Sequence, residues 1–196
     1  MIACTKAARD VVMLLVDVLH EHHPVLAACE VRVDALMADA RTEKDAEKRA
    51  LKHGGYPAAA TIAIVPLKRR ALGQGDALLT IDAAVWDGLA PDEQRALIDH
   101  ELTHLEVARD GAASADGSRV VGVDPDTGEM LGAPKADDLG RPVLRLRLHD
   151  WQFGGFTEIA RRYRTSALEV QAVRACRDGR GQYFWDFDAV KVEEEA

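Results

Sequence analysis

The sequence predicts an α+β fold, a small mixed sheet packed against one chemically equipped helix, with further helices flanking it at the N- and C-terminal ends. Three observations carry this prediction. Runs 59–65, 77–81 and 143–148 have strand patterning, segments near 5–23 and 156–177 have apolar residues at helical spacing, and 91–110 carries helix start and stop signals. At 196 residues, 47% hydrophobic and 30% charged, the chain has the composition of one soluble domain with a real core. The boundaries expected are 1–178 for that domain and 179–196 for an aromatic and acidic extension.

In chain order, the first element is an amphipathic helix capped near Thr5 and ended by Pro24, with His20, His22 and His23 at its negative pole. Residues 29–36 then alternate as a strand. Residues 41–52 are charged and poor in apolar side chains, which suggests a solvated helix or a mobile excursion. The turn His53-Gly54-Gly55-Tyr56-Pro57 leads into the strand 59–65, and Gly73-Gln74-Gly75 breaks the chain before the strand 77–81. That third strand either lies inside the sheet or offers an edge on which an extended peptide can pair. Next comes a helix begun by Pro91, Asp92 and Glu93 and stopped at Gly111, with Leu97, Ile98, Leu102 and Leu105 as its apolar face. A hairpin is expected over 119–128. In 143–148, Leu144, Leu146 and Leu148 share one face and His149 stands at the strand's end. A last helix, 156–177, has Asp150 or Thr157 as candidate caps and Gly179 and Gly181 as its close.

Within the 91–110 helix lies His100-Glu101-Leu102-Thr103-His104. Histidines four apart share a helix face and direct imidazole nitrogens at one point, as a tetrahedral Zn²⁺ requires, and Glu101 beside that point has the chemistry of a general base for amide hydrolysis. Seven histidines and 13 glutamates in 196 residues give roughly 0.016 chance occurrences of the pattern. Two histidines leave a zinc site short, because catalytic zinc commonly has three protein ligands. His149 is the leading third candidate, since it ends a well-patterned strand beside Asp150, and Glu158 is the alternative. His53 is a reserve. Tyr163 and several arginines are candidate donors to an oxyanion.

A net charge of −8 argues against a general nucleic-acid grip, and the clusters Lys68-Arg69-Arg70 and Arg161-Arg162 read as solvated surface. Cys4, Cys29 and Cys176 are odd in number and widely spaced, so neither a disulfide framework nor a Cys-x-x-Cys metal site is expected, and a reducing cytoplasm fits best. The apolar run 11–16 is bracketed by Asp10 and Asp17 and is too short to span a membrane.

The His-Glu-x-x-His motif, preceded by Val85-Trp86-Asp87-Gly88-Leu89 and followed by Leu144-Arg145-Leu146-Arg147-Leu148-His149-Asp150, resembles the phage metallopeptidase family, as does the Lys52-His53-Gly54-Gly55 turn. The resemblance runs from the first helix to Arg164 and implies a zincin-like peptidase domain encoded by a phage or prophage, holding one Zn²⁺ per chain and acting on a peptide or protein. By position it implies His100 and His104 as paired ligands, Glu101 as catalytic base and His149 as the histidine completing the site. Where members carry cysteine this chain has Thr103, a non-ligand spacer. The competing expectation is a zinc-binding regulatory protein that binds or selectively inactivates a repressor or host factor.

Overall fold

Four strands form the main sheet of this computed structural model, which describes residues 2–42, 45, 48–53, 56–110, 133–149 and 155–177. They are β1 (Ala3–Lys6), β2 (Val33–Asp39), β5 (Ala60–Ile64) and β6 (Ala77–Asp82), in the order β1-β2-β6-β5. β2 and β6 run parallel, while β1 and β5 are antiparallel to their neighbours, so the sheet is mixed as expected. The short strands β3 (Lys52–His53) and β4 (Tyr56–Pro57) make a hairpin. β7 (Leu105–Val107) pairs with β10 (Leu144–Leu146), and β8 (Arg109–Asp110) with β9 (Ala133–Pro134).

The helices are α1 (Arg9–His22), α2 (Pro24–Ala28), α3 (Leu67–Ala71), α4 (Ala83–Trp86), α5 (Pro91–Thr103), α6 (Thr157–Tyr163) and α7 (Leu168–Arg177). α1 buries Val11, Leu15, Val18 and Leu19, spaced so that they share one face, against Leu97, Ile98 and Leu102 of α5 and Leu79 and Ile81 of β6. α5 starts where its residues direct: Pro91 is the first helical residue, and the Glu93 carboxylate accepts the Ala90 N–H at 2.8 Å.

Several expectations shift. The chain before α1 is a strand rather than a helix start, because Ala3–Lys6 pairs along β2, and the cap position is Ala8, with no side-chain cap. The strand expected over 29–36 begins later, at Val33, after Glu30 takes a left-handed conformation (φ 54°). The described residues of 41–52 are not helical: Thr42 bridges Asp45, and Ala50 is buried with its N–H donated to Asp82 at 2.6 Å. β6 is internal, and the two edges of the sheet are β1 and β5. The hairpin expected over 119–128 and the stretch beyond Gly179 lie outside the described residues.

Two basic clusters are not simply solvated. Arg70 is buried and pairs with Asp76 (3.1 Å) and Asp137 (2.6 Å), while Arg141 reaches Asp76 at 2.7 Å. This buried ionic knot ties the segment leading into β10 to the sheet, and it forms because Asp76, wholly enclosed, needs compensating charge. Arg162 likewise pairs with buried Asp99, which also accepts from His23 Nε2 at 2.8 Å. His23 thus serves the packing of α1 on α5.

The expected helix 156–177 is broken. α6 gives way at Arg164 (φ 50°, ψ −114°) to a single 3₁₀ turn, Arg164–Ser166, before α7 begins, and the residue preceding α6 is Phe156, with Thr157 inside the helix and Asp150 outside the described residues. A side chain at that backbone conformation costs of the order of 1–3 kcal/mol, which glycine avoids. Arg164→Gly is therefore expected to raise stability by about 1 kcal/mol, read as a later midpoint in urea unfolding with an unchanged slope. A variant that unfolds earlier would refute strain at this junction.

Candidate metal centre

α5 ends at Thr103, not at Gly111. Its last turn tightens: the Thr103 hydroxyl donates to the Asp99 carbonyl (2.8 Å), the His104 N–H reaches back to Glu101 (3.2 Å), and Leu105–Val107 leaves to pair with β10. His104, at the cap, still has helical angles (φ −69°, ψ −16°). The i, i+4 relation with His100 therefore survives, and the two rings sit 5.3 Å apart.

The β7/β10 ladder brings in the third histidine. Leu146 stands opposite Leu105, so Arg147 falls opposite His104: its N–H donates to the His104 carbonyl at 2.7 Å, and its own carbonyl accepts from His104 Nδ1 at 2.8 Å. The strand is thereby run back over the helix terminus, and His149 arrives two residues later. Its Nε2 lies 3.1 Å from His100 Nε2, and its ring centroid 4.5 Å from that of His104. The price is exposure of the expected apolar face: only Leu144 is buried, while Leu146 and Leu148 are 53% and 86% exposed.

His100, His104 and His149 offer ligand nitrogens that all lie within 4.8 Å of one another. Metal–nitrogen bonds of about 2.0–2.1 Å in a tetrahedron separate neighbouring nitrogens by about 3.3 Å, close to the His100–His149 spacing. The donor set is all imidazole, the choice of zinc and its transition-metal neighbours rather than of Mg²⁺ or Ca²⁺. Phe156, fully buried, underlies the cluster with its ring centroid 5.1, 4.9 and 5.0 Å from those of His100, His104 and His149.

The electrostatics of two of the three imidazoles suit ligation. Burial, then repulsion from His100 and His104, pulls His149 down to about 4, so its lone pair is free at neutral pH. Burial also lowers His104. For His100, burial pulls downward but is outweighed by a hydrogen bond to Glu169 and by the charges of Glu101, Glu169 and Asp99, so its affinity for a proton is raised. Glu101 is enclosed beside the cluster. Burial and the charge of Glu169 raise its carboxyl above the usual range, partly offset by His100 and the Ile62 N–H.

Other candidates stand elsewhere. Glu158 is paired with Arg147 Nη1 at 2.9 Å. Glu106 lies on β7 opposite Arg145. His53 is exposed on the β3–β4 hairpin, and Tyr163 packs beside Asp99, where burial and that carboxylate push its phenol upward. Two members of the site escape sequence reading, Phe156 and Glu169. The one signal for Glu169 is a carboxylate set among Ala167, Leu168 and Val170.

A family model described as "Putative phage metallopeptidase" matches residues 3–176. The match continues past Arg164 to take in Glu169. Neither the curated proteins nor the solved structures give a match.

Proposed function

The chain belongs to the putative phage metallopeptidase family, and from that premise we propose that it is a zinc-dependent peptidase whose metal is held by His100, His104 and His149. The observation carrying this reading is the convergence of three imidazole nitrogens within 4.8 Å. When bound, zinc supplies Lewis-acid polarisation of an amide carbonyl and eases ionisation of a water. The protein's own groups do the rest. Glu101 takes the proton of the attacking water and delivers it to the departing amine, and the enclosure that raises its proton affinity fits it for both transfers. The Arg147 carbonyl holds the proton of His104 on Nδ1, which leaves Nε2 as the ligating atom.

A peptide substrate has an edge to lie on. β5 exchanges hydrogen bonds with β6 through alternate residues, as the Asp82-to-Ala59 and Val65-to-Asp76 bonds at its two ends set the phase, so Ala60, Ile62 and Ile64 turn their backbone groups outward. Ile62 lies near enough to Glu101 for its N–H to favour the ionised carboxylate. An extended peptide pairing along this edge would pass the catalytic carboxylate. No observation favours the regulatory alternative. No helix among the described residues is long and apolar enough to cross a membrane.

Elemental analysis of the protein purified without chelator and supplied with zinc is expected to find one zinc per chain, and a peptide library is expected to be cleaved only by that form. Zinc-supplied protein that remains empty would overturn the proposal.

A further inference from the structure

The geometry points to Glu169 as the positioning residue for His100, an inference that rests on the metal reading above. Glu169 lies in the first turn of α7 with its side chain only 3% exposed. On one side stands the apolar cluster of Phe156, Ile159, Ala167 and Val170, and near it are His100 and the buried Glu101. A carboxylate in such a place destabilises the fold unless it is partnered. Its partners are His100 Nδ1, at 3.3 Å, and the Phe156 N–H, at 3.5 Å, both on the same oxygen, Oε1.

That arrangement governs which nitrogen of His100 carries the proton. A free neutral imidazole in water prefers the proton on Nε2, the atom that faces His149. A carboxylate at Nδ1 draws the proton to the opposite side of the ring and leaves the Nε2 lone pair directed into the cluster. The Phe156 N–H on Oε1 holds the carboxylate in place, and Phe156 itself packs under all three histidines, so one residue joins the outer shell to the ring geometry. Glu169 is not itself a ligand in this arrangement, because it meets His100 on the ring nitrogen that points away from His149. The two helical histidines thus have different orienting groups, a neutral carbonyl for His104 and a charged carboxylate for His100.

The test compares the full chain with Glu169→Met, which keeps the volume without an acceptor, Glu169→Ala, which vacates it, and Glu169→Gln, which keeps an acceptor oxygen. Titration with Zn²⁺ alone is expected to show affinity weakened by about 10–100-fold in the Met and Ala variants and largely restored in Gln. In the zinc-free proteins, nitrogen-15 NMR of His100 is expected to find the proton on Nδ1 in the parent and in Gln, and shifted toward Nε2 in Met and Ala. Equal zinc affinities, or the same tautomer in parent and Met, would overturn the inference. A parent that does not bind zinc would instead defeat the metal reading, and the tautomer comparison, made without metal, would still decide the role of Glu169. Should Met fail to fold, the Ala and Gln variants carry the same comparison.

Discussion

Glu101→Gln is expected to keep zinc bound and to lower peptide hydrolysis by about 10²–10⁴-fold, the usual contribution of a general base. The substitution preserves shape in an enclosed site. What it cannot do is take a proton from water. None of the three nitrogens proposed to hold zinc is altered, so metal content and folding should match the parent. A variant that binds zinc and cleaves a verified substrate at the parental rate would remove Glu101 from the mechanism. A variant that loses zinc would show that its carboxylate belongs to the metal site itself.

His149→Ala is expected to weaken zinc binding by more than the about 10–100-fold cost of losing an outer-shell partner, since it takes away one of three direct ligands. Activity should fall with it. Glu158→Ala is expected to leave zinc affinity close to parental, because that carboxylate is held by Arg147 at 2.9 Å. The two variants are best measured together by competition with a zinc-binding dye. If Glu158→Ala loses zinc while His149→Ala keeps it, the third-ligand role passes to Glu158.

The elements that sequence reading located best are those with a dense apolar pattern of their own. The strands 60–64 and 77–82 and the start of α5 fall where their residues put them. β1 was hidden because all four of its residues are exposed, and only pairing with β2 makes it a strand. The end of α5 was misplaced for a similar reason: nothing in Leu105-Glu106-Val107 forbids a helix, and it is the ladder to β10 that turns these residues into a strand. The leucine alternation of 144–148 identified a strand correctly but misjudged its environment, since a two-stranded ladder that runs out over a helix end has little to cover Leu146 and Leu148.

The amino-acid sequence by itself determined the pairing of His100 with His104 and the place of Glu101 between them, because 3.6 residues per turn makes that juxtaposition local and independent of the rest of the fold. It also singled out His149, although not the means of its arrival. Tertiary structure alone decided that His149 and not Glu158 meets the helical pair, through the register that sets Arg147 opposite His104, and that Glu169, 69 residues from His100 in the chain, is enclosed against its ring. The physical reason is range: a helix repeats its own geometry within four residues, whereas a strand register and a buried carboxylate's partner are set by segments that meet only when the core closes.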